Sequence, residues 1–249
     1  MVVKFESRKV SSVSSLNEDT VWLQLEGNLV AQPGQFVMAW LPGIGEKPFS
    51  IASTTPFALL IVDVGPFSHT MQSVGIGDLV WFKGPLGQGF SINGEKLLLV
   101  GGGYGSAPLL PLVKQARAQN LQVDVCLGAK NQGGLLLVEA FETAGCKVSC
   151  ATEDGSAGYH GLITDVVEGA LQKFKYDALC ACGPVGMLTA LASLCQRYQV
   201  NYQLSWEAYM RCGMGLCGSC EMPVSYDSNL PSGWLACYDG PVFSHQWDQ

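Results

Sequence analysis

The sequence predicts a β plus α/β protein: an N-terminal antiparallel β-barrel, a parallel-sheet α/β domain and a small cysteine-rich C-terminal domain. Three observations predict it. Residues 1–92 break into short β-branched and aromatic runs separated by turn signals. Residues 93–201 alternate strand-length apolar runs with helical stretches, the rhythm of βαβ units. Residues 202–249 are rich in glycine and cysteine and too short to bury a core of their own, so a metal or similar staple is expected there.

In the first segment VWLQLE, GQFVMAWL, FALLIVDVG and DLVWFKGP read as strands, with QPG, LPGIG and GIGD as turns between them. A small antiparallel barrel or sandwich accommodates such strands. In the second segment KLLLVGGG, LQVDVCLGA, CKVSCATEDG and DALCACGP read as strands. APLLPLVKQARAQ, LLLVEAFETAG, GLITDVVEGALQKF and VGMLTALASLCQRY read as the helices between and after them. Ligands of such sheets sit at the carboxyl ends of the strands.

Composition narrows the class. With 48% hydrophobic and 14% charged residues the chain is expected to fold. A net charge of −7 argues against a nucleic-acid backbone as main partner, while leaving room for a local basic pocket. MVVKFESRKV lacks the apolar core of a leader, and the LLLV runs at 97–100 and 135–138 are too short to span a bilayer. A soluble, cytoplasmic protein is expected, without membrane partners. In that reducing compartment ten cysteines do not suggest a disulfide framework. Cys126, Cys146, Cys150, Cys180 and Cys195 read as small buried hydrophobes.

The tail reads C-x4-C-x2-C-x16-C through Cys212, Cys217, Cys220 and Cys237. Four thiolates can hold zinc or an iron–sulfur cluster. Structural zinc ribbons use two C-x2-C knuckles, and only one is present. C-x4-C-x2-C…C is instead the plant-type spacing for a [2Fe–2S] centre, with a shorter gap to the fourth cysteine than that type has. Gly213, Gly215 and Gly218 give the loop the backbone angles it needs to wrap a cluster. Such a centre takes one electron at a time, so a two-electron donor would need a flavin between them.

Two further motifs lie at predicted strand ends. LLLVGGGYGSAPLLPL puts Gly102 and Gly103 between a strand and a helix, where a pyrophosphate could sit at the helix start; a tight structural turn explains the same glycines. ACGPVGML puts Cys182, Gly183 and Pro184 at the last strand's end. Cys182 could be another packed thiol, but beside the glycine turn a nicotinamide-facing role is the better reading.

In order, KPFS at 47–50, GDLVWFKGPLGQGF at 77–90, GGGYGSAP at 101–108 and CGPVGM at 182–187 resemble the ferredoxin–NADP⁺ reductase superfamily. SWEAYMRCGMGLC, ATEDGSAGYHGLITDVV and CYDGPVF narrow the resemblance to electron-transfer subunits of class 1B dihydroorotate dehydrogenases, over essentially the whole chain. The resemblance implies an FAD-binding barrel (1–92), an NAD(P)-binding domain (93–201) and a [2Fe–2S] domain (202–249). Lys47, Pro48, Phe49 and Ser50 would lie against FAD, and Leu60, Ile61, Val62, Phe67 and Ser68 would continue that cradle. Gly102, Gly103, Cys182, Gly183, Pro184 and Met187 would form the nicotinamide-dinucleotide site, with Thr152, Asp154 and Gly155 on the same rim. Cys212, Cys217, Cys220 and Cys237 would be the cluster ligands. Lys47 stands where the family usually has arginine; it keeps a point charge for a phosphate but loses the bidentate fork.

The implied activity is an oxidoreductase relay between NAD(H), FAD and the cluster, with Cys182 positioning the nicotinamide. The implied partner is an FMN-containing dihydroorotate dehydrogenase catalytic subunit of pyrimidine biosynthesis, in a heterotetramer of two copies of each. The competing reading is an NAD(P)H oxidoreductase subunit of the same fold serving ferredoxin, sulfide or a hydrogenase. A zinc-stapled nucleotide sensor would keep the fold without electron transfer. Hydride transfer at a flavin demands no acid–base catalyst from this chain, so His69, His160 and His245 are read as surface or core residues.

Overall fold

A computed structural model describes residues 4–247; the first three residues of the segment read for a leader lie outside the described residues. Six strands, β1 (Phe5–Ser15), β2 (Thr20–Leu25), β3 (Phe36–Leu41), β4 (Gly45–Thr54), β5 (Phe57–Val62) and β6 (Leu79–Leu86), close an antiparallel barrel in the order β1-β2-β5-β4-β3-β6. Closure through β1 and β6 (Phe5 opposite Lys83) leaves no free sheet edge. Period-two alternation sends Leu23, Leu25, Val37, Ala39, Leu59, Ile61, Val80 and Phe82 inward. Phe36 and Met38 point outward from β3 and join a second core. Helix α1 (Pro66–Gln72) plugs the barrel with Phe67 and Met71, four residues apart on one helical face.

The α/β unit supplies β7 (Lys96–Gly102), α2 (Leu109–Ala118), β8 (Gln122–Ala129), α3 (Val138–Thr143), β9 (Lys147–Thr152), β10 (Tyr159–His160), α4 (Ile163–Lys173), β11 (Ala178–Cys182), α5 (Val185–Tyr198) and β12 (Asn201–Ser205). With β13 (Val242–His245) they build one seven-stranded sheet ordered β10-β9-β8-β7-β11-β12-β13. All its pairings are parallel except that of β13. Leu97 and Leu99 face α2 and α3, whereas Leu98 and Val100 face α4 and α5. That two-sided burial is why the run reads as continuously apolar. The chain builds outward from β7 to β10 and returns to β11 on the other side of β7, so the sheet's switch point lies between β7 and β11.

The expected helix at 135–145 is shorter, Val138–Thr143. Leu136 instead packs with Ala52, Leu60 and Ala107 between barrel and α/β unit, and Leu137 takes a left-handed conformation to start the helix.

The tail has no core of its own. Cys220, Met222, Leu230, Trp234 and Cys237 are buried in the same cluster as Phe36 and Met38 of the barrel and Leu188 and Leu191 of α5. β12, which starts at Asn201, and β13 both belong to the large sheet, so the sheet claims residues on both sides of the expected boundary at 202. Among the described residues no helix is long and apolar enough to cross a membrane. Cys126, Cys146, Cys180 and Cys195 are buried free thiols and Cys150 is half-buried, as their apolar surroundings imply.

A candidate dinucleotide cleft and cysteine loop

A cleft of about 810 Å³ opens at the carboxyl ends of the parallel strands. Its sheet side includes Gly102, Gly103 and Tyr104 after β7, Gly128 to Asn131 at the end of β8, and Pro184, Gly186 and Met187 after β11. Its barrel side is Asn17 to Thr20 and Val62. Asn17 Nδ2 donates to the Gly133 carbonyl at 2.8 Å, tying barrel to sheet across the cleft. A cleft of this size suits a dinucleotide segment. Its acidic side chains, Glu18, Asp19 and Glu153, outnumber Lys130, which disfavours an extra phosphate.

The two strand-end turns pack on each other. Cys182 pairs with Gly101 of β7 and Ser205 of β12. A methyl on Gly102 would meet Pro184 Cδ at 2.7 Å and Met187 Sδ at 2.9 Å, whereas one on Gly103 would meet nothing within 4 Å. Gly103 is thus the open glycine of the turn, and Gly102 holds the turns together. The Cys182 thiol is pushed up to about 12 by burial, against a lowering hydrogen bond from Ser205. It is neutral at physiological pH and cannot serve as a thiolate.

Several expected cradle and rim side chains turn out to be engaged elsewhere. Strand alternation puts Ile61 in the barrel core, and Phe49 packs 5.9 Å from Phe67 against that same core. Those three side chains do not face the cleft. The Ser68 hydroxyl accepts from Val64 and Gly65 N–H at 2.9 and 3.1 Å and donates to the Gly65 carbonyl, so it braces the entry to α1. Thr152 Oγ1 donates to the Ala157 carbonyl at 2.8 Å and accepts from Ala157 N–H at 3.0 Å. The Asp154 carboxylate accepts from Ser156 N–H and hydroxyl, which lower its pKa. Gly155 sits at φ +74° against the His160 ring. The Thr152 and Asp154 side chains are therefore engaged within their own loop, and Glu153 is the member of residues 152–160 that lines the cleft. Leu60, with Ala52, lies on the outer barrel face toward the α/β unit, as does Val62. The alternation of β4 gives Pro48 and Ser50 the same side as Ala52. Lys47 is exposed, its Nζ 5.3 Å from the Tyr209 ring centre.

In the tail, Gly213, Gly215 and Gly218 all adopt left-handed φ angles between +69° and +77°. Met214 N–H and Gly215 N–H point at Cys212 and Cys237 Sγ, at 3.4 and 3.1 Å. The Cys217 thiol lies 3.0 Å from the Ser219 hydroxyl. No three of the His, Cys, Asp and Glu side chains among the described residues gather around a single metal position. Backbone N–H groups aimed at sulfur, and left-handed glycines between the thiols, fit a loop that wraps an iron–sulfur cluster. Hydrogen bonds from Ser219 and Cys212 lower the exposed Cys217 thiol to about 6, whereas burial beside Cys220 raises Cys237 to about 12. The loop lies on the barrel: a methyl on Gly213 would come within 2.7 Å of Met38 Cγ and 3.2 Å of Leu86 Cδ1.

Sequence reasoning missed the barrel loop Asn17 to Thr20, Tyr104 as a cleft residue, and Glu207, which accepts a hydrogen bond from Tyr104 at 2.9 Å. The last two are 103 residues apart, and only the sheet order brings them together.

Residues 207–246 match the model of the iron–sulfur cluster binding domain of dihydroorotate dehydrogenase B. The chain is 38% identical over 234 residues to a protein of Thermococcus kodakarensis, covering 94% of both chains. It is 39% identical over 230 residues to one of Methanopyrus kandleri, covering 91% of this chain and 85% of that one. Both relatives are named as the electron transfer subunit of dihydroorotate dehydrogenase B (NAD(+)). Among solved structures, that of an NADH-dependent reduced ferredoxin-NADP oxidoreductase superposes with a TM-score of 0.84 at 29% identity, covering 95% of this chain and 87% of that one. The cytochrome b5 reductase domain of Ulva prolifera nitrate reductase shares the fold, with a TM-score of 0.67 at 17% identity over 79% of this chain and 94% of that one. Barrel, sheet and cysteine loop thus define an NAD-linked oxidoreductase of the ferredoxin–NADP⁺ reductase fold with an iron–sulfur tail. The chain belongs to the family of dihydroorotate dehydrogenase B electron transfer subunits.

Proposed function

We propose that this chain passes electrons between NAD(H) in the cleft and a dihydroorotate-oxidising catalytic subunit that meets the cysteine loop. One observation carries the order of the relay: the barrel touches both sites, through Val62 and Thr20 at the cleft and through Met38 and Leu86 at the loop. A flavin held on the intervening barrel face would supply the conversion between paired and single electrons that such a relay needs. Pro48, Ser50, Leu60 and Val62 would hold its ring system, and Lys47 would offer a positive charge to its phosphates. Gly103, Pro184 and Met187 would seat the dinucleotide, with Gly102 and Gly183 packing the two turns that shape the seat. Cys182, Cys212, Cys217, Cys220 and Cys237 keep the roles the resemblance implies, the first orienting the nicotinamide as a neutral thiol and the others binding the cluster.

Leu216 (80% exposed) and Tyr238 (64% exposed) flank the loop and give it an apolar rim for a partner. We assign that partner FMN and a heterotetramer of two copies of each subunit, and place the complex in the cytoplasm. The test is co-expression with the dihydroorotate-oxidising subunit, purification of the complex and assay with dihydroorotate and NAD⁺. Dihydroorotate-dependent NADH formation that requires both chains is the expected result. A second reading, a subunit serving ferredoxin, is favoured by the likeness at TM-score 0.84; reduction of ferredoxin but not turnover of dihydroorotate would select it.

Cys182→Ala tests the thiol. Losing a group that orients the nicotinamide should slow flavin reduction by NADH on the order of tenfold with the iron–sulfur spectrum unchanged. Because the thiol is neutral up to about pH 12, the ratio of mutant to wild-type rates should not vary between neutral and mildly alkaline pH. Equal stopped-flow rates would reduce Cys182 to a packing residue.

A further inference from the structure

The sheet order puts β11 between β7 and β12, so Gly101, Cys182 and Ser205 stand side by side at three adjacent strand ends. Tyr104 follows Gly101 by three positions and Glu207 follows Ser205 by two. The hydrogen bond from the Tyr104 phenol to Glu207 Oε2, at 2.9 Å, therefore runs from one flanking strand end to the other across the end of β11, where Cys182 lies. The turn carrying Tyr104 is pressed onto that strand end: a methyl on Gly105 would lie 2.7 Å from Gly183 Cα and closer still to the Cys182 carbonyl. Both partners of the bond are exposed, Tyr104 to 43%, so the pair closes no core. Tyr104 also lines the dinucleotide cleft.

We propose that the Tyr104–Glu207 pair is a strap across the nicotinamide position, which NAD(H) opens before its ring reaches Cys182. The inference rests on the dinucleotide reading of the cleft. An exposed hydrogen bond is weak enough for a ligand to displace. While it is closed, only a fraction of molecules accept the nicotinamide, and the apparent dissociation constant rises by the inverse of that fraction. Opening also releases the Glu207 carboxylate beside the ring, where it attracts the cationic nicotinamide of NAD⁺. The adenosine and ribose parts of the ligand meet the cleft without crossing the strap, so it weighs on the nicotinamide end alone.

Tyr104→Phe keeps the ring and removes the bond. With oxidised holoprotein, calorimetric titration with NAD⁺ should give a dissociation constant about three- to tenfold lower than wild type, the worth of one such hydrogen bond. ADP-ribose, which lacks the nicotinamide, should bind both proteins equally. NAD⁺ affinity that is unchanged or weakened in the variant overturns the strap, as does an equal gain for both ligands. Failure of wild type to bind either ligand overturns the dinucleotide reading itself, and the strap with it.

Discussion

Cys217→Ser is expected to abolish iron–sulfur absorbance and to cut electron delivery to the partner on the order of a hundredfold or more, the scale of losses when a metal site is impaired. Flavin reduction by NADH should continue at the wild-type rate. The loop's geometry makes this the informative cysteine. Cys220 and Cys237 are each 2% exposed and sit in the core shared by all three parts of the chain. A serine there would bury a hydroxyl at a cost of about 1–3 kcal/mol if unpaired, mixing fold with function. Cys217 is exposed, its sulfur 3.0 Å from the Ser219 hydroxyl, and it does not belong to that core. Its loss removes one thiolate of four while Trp234, Met222 and Leu230 keep the tail packed on β12 and the barrel. Stopped-flow absorbance separates the two half-reactions, and partner reduction that survived the change would put the electron exit somewhere other than the loop.

Much of this organisation is legible in the sequence wherever one residue type carries the physical demand. The C-x4-C-x2-C spacing and its three glycines foretell the wrapped loop, and KLLLVGGG foretells a strand buried on both faces. Other elements are hidden because their determinants are not local. β1 spells FESRKVSSVSS, of which only Val10 is fully buried; β2 and β6 hold the rest by pairing. β4 carries KPFS into a regular strand, with Lys83 of β6 paired to Glu46 at 2.8 Å beside it. That lysine is 7% exposed on a barrel wall, held there by the strand pairing of β6. At the site, the sequence marks strand ends but not the hydrogen bonds that decide which side chains are free. Thr152 and Ser68 stand near the expected positions, yet their hydroxyls are satisfied by their own loops. The contact of Tyr104 with Glu207 follows from β11 inserting between β7 and β12, which no local pattern encodes.

The glycine turn gives the second large effect, because its glycines do two different jobs. Gly105→Ala should lose on the order of 3 kcal/mol through overpacking against an immovable backbone. The methyl would overlap the Cys182 carbonyl and Gly183 Cα, and neither can move without unpairing β11 from β7 and β12. A loss of that size in a chain this long lowers the melting temperature by about 10 °C. Gly103→Ala meets no atom within 4 Å and bears only the strain of a left-handed φ of +52°, about 1 kcal/mol. Its methyl enters the cleft at the strand end, so NAD⁺ affinity should fall about tenfold, the equivalent of about 1.4 kcal/mol. Thermal denaturation with calorimetric NAD⁺ titration separates the two: Gly105→Ala should fail first in stability, Gly103→Ala first in binding. A Gly103→Ala variant that binds NAD⁺ as wild type does would mean that no ligand backs onto this turn. GGGYG would then be a packing device alone, the explanation its glycines already have at 102 and 105. Full affinity in a soluble Gly105→Ala protein would mean that the two strand-end turns separate without disturbing the seat, and the cleft's shape would have to come from the β8 end and the barrel loop instead.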